Sequence, residues 1–204
     1  MKTLTFQNKE EWLQARRGKI TGSRLKDIIV KRGSGKKIGF YELIAERLGI
    51  PADDESAMDR GIRLEDEAIE KYAEETKQKV NTDLVIWTRD DDESIAISPD
   101  GYIETKGKVK KAVECKCLGS ARHIEAYLTQ SIPKEYEEQK LQYFIVNDDL
   151  EELDFVFYDP RLITINYFVI NIKREDIEKE IENALNYQVE TLREVNEIVN
   201  KLTF

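Results

Sequence analysis

Asp100, Glu114 and, one position further on, Lys116 are the residues whose types and spacing hold the most chemistry. If Ala112-Val113-Glu114-Cys115-Lys116-Cys117 is a strand, Val113, Cys115 and Cys117 share one face and Glu114 and Lys116 the other, because strand side chains alternate. Ser98-Pro99-Asp100-Gly101 lies just upstream, between two further strand-like runs. Carboxylates on adjacent strands supply hard oxygen ligands for Mg²⁺ or Mn²⁺, and a lysine beside them steadies an attacking water and a pentavalent transition state. Those are the requirements of phosphodiester hydrolysis. Each half also has a plainer reading: a surface strand with its polar face in water, and an ordinary Pro-Asp-Gly turn.

Two other polar residues interrupt apolar stripes. Ile62, Glu65, Ile69 and Tyr72 fall at helical offsets, so Glu65 is expected within the stripe that faces the core. There it either pairs with Arg63 or another cation, or serves as a metal ligand or a catalytic acid or base. Tyr136, Gln139, Tyr143 and Val146 form a second stripe, in which Gln139 either satisfies backbone groups of the core or points at substrate.

The elements that must position these residues can be read from period and punctuation. Asn8 and Glu11 resemble a capping box for a helix carrying Trp12, Leu13 and Arg16, with Gly18 as its stop. Thr21-Gly22-Ser23 is expected to cap a second helix through Leu25, Ile28 and Ile29. A Gly/Lys loop over 32–37 leads to a third with Phe40, Leu43, Ile44 and Leu48. A fourth helix is expected over about 58–75. The period then changes, and 80–87, 94–98, 102–104 and 112–117 read as strands of one antiparallel sheet. Helices over 120–129 and 134–146, strands over 153–158 and 167–172, and a long closing helix from Arg174 complete the pattern. The expectation is one α/β or α+β domain over residues 1–204, with a mixed, largely antiparallel central sheet flanked by helices.

Composition bounds the remaining choices. A chain of 204 residues, 40% hydrophobic, can bury one sizeable core. Cys115 and Cys117 lie too close on one strand for a mutual disulfide, which implies free thiols and a reducing compartment. Two cysteines and one histidine exclude a zinc or iron–sulfur cluster, and the lone His123 offers no nucleophile triad. No segment approaches a membrane span, and the first residues lack the apolar run of a signal peptide, so a soluble cytoplasmic protein is expected. The net charge of −9 argues against generic nucleic-acid binding, yet the basic residues cluster. Nine lie between Arg16 and Lys37, and Lys106, Lys108, Lys110 and Lys111 precede Glu114. Such segregation gives either one basic surface or merely a solvated face.

Ser98-Pro99-Asp100 and Glu114-Cys115-Lys116 together spell the PD-(D/E)XK arrangement, and the likeness extends along the chain. Trp12 to Ser23, WLQARRGKITGS, resembles the opening motif of the λ-type phage recombination exonucleases, a branch of the PD-(D/E)XK nucleases. Arg60-Gly61-Ile62-Arg63-Leu64-Glu65 is similar to that family's Gly-x-x-x-Glu helix. Tyr136-x-x-Gln139-x-x-x-Tyr143 and Tyr158-Asp159-Pro160-Arg161 follow in its order.

The resemblance implies a restriction-endonuclease-like core and a metal-dependent 5′-to-3′ exonuclease. Its substrate would be linear double-stranded DNA with a 5′-phosphate end, resected for single-strand annealing recombination. It implies that Asp100, Glu114 and the carbonyl of Cys115 hold Mg²⁺, with Mn²⁺ able to substitute. Lys116 would orient or deprotonate the attacking water, and Glu65 would complete the metal and water network. Arg16 and Ser23, with Ser98 and Gln139, would hold the terminal phosphate or line the site beside Tyr143, and Arg32 in the Gly/Lys loop would meet DNA. It further implies a ring-shaped homotrimer, a single-strand annealing protein as partner and no membrane association. The alternatives are a PD-(D/E)XK endonuclease of restriction or junction-resolving type, and a catalytically idle DNA-end-binding module.

Overall fold

A computed structural model describes residues 5–31, 33, 35–51 and 55–203. Its centre is a four-stranded sheet of β3 (Gly101–Thr105), β4 (Lys108–Lys116), β5 (Glu152–Tyr158) and β6 (Tyr167–Lys173), hydrogen-bonded in that order. β3 and β4 form a hairpin through Lys106 and Gly107, both at positive φ, the geometry that matches strand twist in a two-residue turn. β4 and β5 run parallel and β5 and β6 antiparallel. A parallel pair needs a long crossover. Here it is α4 (Ser120–Thr129) followed by α5 (Glu137–Val146).

Strand alternation divides the core into two layers. Ala112, Leu153, Phe155 and Phe157 pack with Tyr143 and Phe144 of α5 and with Ile181 of α6 (Glu178–Leu202). Val113, Cys117 and Val156 pack on the opposite face against Leu64, Ala68, Ile69 and Tyr72 of α3 (Ala57–Thr76). Glu114 and Lys116 share the face of Ala112 and therefore project toward α5. α2 (Ile38–Arg47) packs beside α4 through Tyr41, Ala45 and Ile124.

The mixed sheet with flanking helices matches the expected class, but four local expectations are corrected. The expected single antiparallel sheet is two sheets, since β1 (Trp87–Thr88) and β2 (Ala96–Ile97) form a separate ribbon. The run 80–87 is not a strand: Asn81 Oδ1 accepts from the Asp83 N–H at 2.8 Å, an Asx turn that diverts the chain, and only Trp87 rejoins a ladder. Ser23 opens no α-helix. A single 3₁₀ turn, Leu25–Asp27, follows it, and Leu25 and Ile29 are each 43% exposed, so no buried stripe sustains a longer helix. Finally, the buried residues of α3 are Arg60, Leu64, Ala68, Ile69 and Tyr72, so Ile69 and Tyr72 of the expected stripe face inward and its first two members do not. Ile62 is 72% exposed and Glu65 is exposed as well, because the small Ala68, not Glu65, faces the sheet.

The lysines ahead of Glu114 are matched by the acidic run that leads into β5. Lys108 pairs with Asp149 at 2.8 Å, Lys110 with Glu151, and Lys111 with Glu152 at 2.5 Å and Asp154 at 3.3 Å. Lys108, Lys110 and Lys111 of this second basic group therefore serve the β4–β5 pairing, each beside an acidic partner. α1 (Lys9–Arg16) begins as expected, with Asn8 Oδ1 accepting from the Glu11 N–H.

Candidate active site

Glu114 is the hub. It is 3% exposed, and a buried carboxylate must be paired or hydrogen-bonded to persist. Its Oε1 accepts from Lys116 Nζ at 2.5 Å and from Gln139 Nε2 at 2.7 Å, and its Oε2 accepts from the Tyr143 hydroxyl. Gln139 thus points at a carboxylate and not at core backbone. Burial, and then the charge of Glu114, push the Tyr143 hydroxyl far above its ordinary pKa, so it remains a donor. Lys116 Nζ also lies 4.3 Å from the centroid of the Tyr136 ring, a cation–π contact that gives the amine a second restraint.

Asp100 ends the turn that precedes β3. The last β3–β4 register pair on this side is Gly101 with Val113, so the Cys115 N–H lies beyond the end of β3 and donates to Asp100 Oδ2 at 2.7 Å. A strand residue directs its N–H and C=O to the same side. The Cys115 carbonyl therefore also faces the Asp100 side. Burial, and then repulsion from Glu114 and Glu65, raise the Asp100 carboxyl to about 7, opposed by the Cys115 N–H and Lys116. Glu65 and Ser98 share with Asp100 a cleft of about 450 Å³, completed by Asp66, Ile69 and residues 82–86. Partial burial, with Glu114 and Asp66 behind it, raises the Glu65 carboxyl too.

These are hard oxygen donors of the kind Mg²⁺ and Mn²⁺ take. Asp100 and Glu114 supply carboxylates, Cys115 a carbonyl, and Glu65 a further carboxylate. Among the described residues, no three His, Cys, Asp or Glu side chains gather around one point as a ready metal cage. The raised carboxyls are nevertheless a charge excess that a cation would relieve.

Arg16 and Ser23 come together elsewhere. Arg16 Nη2 donates to Ser23 Oγ at 3.3 Å, and its guanidinium sits 4.2 Å from the Trp12 ring centroid. They line a small pocket with Arg17, Thr21, Arg24 and Glu46. Arg17, Arg24 and Glu46 also line a cavity of about 410 Å³ that reaches Gly119–Arg122, the segment just beyond Lys116. Arg32 lies outside the described residues. His123 is fully buried, with Nε2 2.6 Å from the Ile165 carbonyl, and burial holds its pKa down. A larger cavity of about 590 Å³ between Trp87–Asp91 and Val146–Asp149 contains none of the expected site residues.

The sequence pointed neither to Asp66 nor to Tyr136 as the partner of Lys116, and it marked Asp159 only as part of a family motif, with no role of its own. Asp159 is fully buried; burial pushes its carboxyl up, but bonds from Arg161 and from Ser120 Oγ at 2.6 Å bring it below the ordinary range. It ties the start of α4 to the end of β5, and so fixes the chain just after Lys116.

The profile of the YqaJ-like viral recombinase domain matches residues 11–148, a span that takes in every position from Arg16 to Tyr143. The chain is also similar to the crystal structure of an alkaline exonuclease, LHK-Exo, from Laribacter hongkongensis. The two are 30% identical with a TM-score of 0.61, over 94% of this chain and 96% of that one. LHK-Exo in complex with dAMP aligns at 30% identity with a TM-score of 0.60, over 95% and 97% of the two chains. No curated protein matches the chain.

Proposed function

The chain belongs to the YqaJ-like viral recombinase domain family, and from that premise we propose that it is a single-domain, metal-dependent exonuclease resecting linear double-stranded DNA from the 5′ end. The observation that carries this reading is the convergence of Asp100, Glu114 and Lys116, with Gln139 and Tyr143, at one end of β4. The similarity to an alkaline exonuclease captured with dAMP supports it, since a deoxynucleoside monophosphate is what stepwise hydrolysis of a strand releases.

Asp100, Glu114 and the Cys115 carbonyl would hold Mg²⁺, or Mn²⁺ in its place, with Glu65 closing the ligand set across the cleft. Bound there, the cation supplies positive charge against the scissile phosphate and acidifies water. Lys116, restrained by Glu114 and Tyr136, orients the attacking water and meets the charge that develops in the transition state. Gln139 and Tyr143 keep the Glu114 carboxylate aimed, and Ser98 meets the strand at the cleft rim. Arg16 and Ser23 hold the terminal 5′ phosphate, with Arg32 on the flanking DNA. The working assembly in this reading is a cytoplasmic homotrimer, and membership in a recombinase family supports its acting beside a single-strand annealing protein.

The test is incubation with linear duplex and with covalently closed circles, in Mg²⁺ and in EDTA. Release of mononucleotides from the linear duplex alone, and only with the metal, is expected. Lys116→Ala should abolish release yet still bind Mn²⁺ in a calorimetric titration, whereas the near-isosteric Glu114→Gln should lose both. Rapid cutting of closed circles, or full activity in EDTA, overturns the reading.

A further inference from the structure

The arch over 82–86 is anchored at both ends beside the catalytic acids. At its start, Asn81 exchanges two backbone hydrogen bonds with Tyr102, at 2.8 and 2.9 Å. At its end, Trp87 pairs with Ile97. Gly101 makes the approach possible: a Cβ there would stand 2.7 Å from Val80 Cγ1, so only glycine lets the incoming chain lie against the residue that follows Asp100. Between the anchors Val85 is half-buried, while Leu84 is 104% and Ile86 71% exposed. Lone exposed apolar residues are ordinary. These two alternate on a tethered arch and form one wall of the cleft whose other wall carries Glu65, Asp66 and Asp100.

With a cation held by the acids of one wall, and with Leu84 and Ile86 beside Thr82 and Asp83 on the other, the cleft suits a ligand whose anionic end meets that cation and whose flat, apolar end lies on the two aliphatic side chains. At about 450 Å³ it falls in the range of small-ligand sites, roughly 300–1,000 Å³, and so takes one nucleotide and not a duplex. We infer that Leu84 and Ile86 are substrate-contact residues, forming the wall on which the base of the terminal nucleotide rests while its phosphate lies at Asp100 and Glu114. Contact with a base face demands no hydrogen-bond pattern, so the arch serves digestion of any sequence. This inference rests on the nuclease reading of the cleft.

Leu84→Ala with Ile86→Ala tests it, since substitutions at such exposed positions leave stability nearly unchanged. Ile163→Ala is the control, 90% exposed and not part of the cleft. The substrates are linear duplexes with a normal or an abasic 5′-terminal nucleotide. The double variant should lose on the order of tenfold in kcat/KM on the normal end, as expected when two aliphatic side chains no longer cover the base. It should lose little on the abasic end, where the wild type is already impaired. Fluorescence anisotropy of the same duplexes, with Ca²⁺ in place of Mg²⁺ as the cation, should repeat that pattern in binding. Equal losses on both ends, or none on either, overturn the inference while wild-type turnover leaves the nuclease reading intact. If the wild type hydrolyses nothing, the nuclease reading fails, and the anisotropy comparison alone decides the arch. Wild-type binding blind to the base then overturns it.

Discussion

Asp100 sets the acid–base behaviour of the metal-free protein. Its carboxyl stands at about 7 when folded, against an ordinary value of 3.8, because it is buried and faces Glu114 and Glu65. Between those two values the folded state keeps a proton that the unfolded chain has released. The contribution of Asp100 to stability is therefore fully present below about 4, declines as pH rises toward about 7 and is lost above it. Asp100→Asn keeps an acceptor for the Cys115 N–H and removes the charge. In EDTA its melting temperature should exceed that of the wild type at pH 8, with the difference closing as the pH approaches 4. Equal melting temperatures across that range would show that Asp100 is ordinarily ionised. At this scale much of the arrangement was legible: Lys116 and Gln139 both donate to Glu114, Asp100 accepts from the neighbouring Cys115 N–H, and the anomaly of an amide within an apolar stripe did mark Gln139. Glu65 reaches the cleft for another reason than the one its spacing suggested. Neighbouring ridges of a helix share Ile69 and Tyr72, and only the packed sheet selects Leu64 and Ala68 as the inner one.

At the scale of elements, the placement of the acids depends on how closely the chain at Val80 approaches the start of β3. Gly101→Ala would set a Cβ 2.7 Å from Val80 Cγ1 and 3.3 Å from Ile69 Cδ1. Val80 is β-branched and cannot swing aside freely. Overpacking of this kind costs about 1–3 kcal/mol, and here it would also displace the residue next to Asp100. Adding Val80→Ala should restore much of the stability and activity, and a double-mutant cycle by urea denaturation measures the coupling. Additive losses would mean that the contact does not position β3. Period 2 sufficed to place β4, β5 and β6, but it is the same in parallel and antiparallel strands. The parallel β4–β5 pair is legible only through its crossover. The arch over 82–86 was hidden because an Asx turn and a glycine contact, both invisible to periodicity, override an apolar run.

At the scale of the whole molecule, a chain of net charge −9 must engage a polyanion through a local arrangement of cations. The β4 lysines are committed to the acids leading into β5. Arg24 is bound to Glu46 at 2.7 Å, and Arg17 donates to the Ile50 carbonyl. Arg16 differs from them: its guanidinium lies on the Trp12 ring and reaches the Ser23 hydroxyl, with no carboxylate among these contacts. The sequence suggested a helix capped at Thr21–Ser23, and a helix N-terminus there would favour an anion. The 3₁₀ turn that follows is too short to provide such an N-terminus, so in the proposed reading recognition of a terminal phosphate falls to the guanidinium and the hydroxyl. A terminal phosphate differs from an internal one by its extra charge, and a single arginine can read that difference. Arg16→Ala should therefore slow digestion of 5′-phosphorylated linear duplex by on the order of tenfold or more, the cost of a charge-assisted hydrogen bond. Its rate on 5′-hydroxyl ends should change far less, so that the preference between the two ends shrinks. Arg16→Lys should recover only part of it, since a point charge replaces a planar fork. If Arg16→Ala slows both ends equally, Arg16 contributes general DNA affinity, and the 5′ phosphate is read elsewhere.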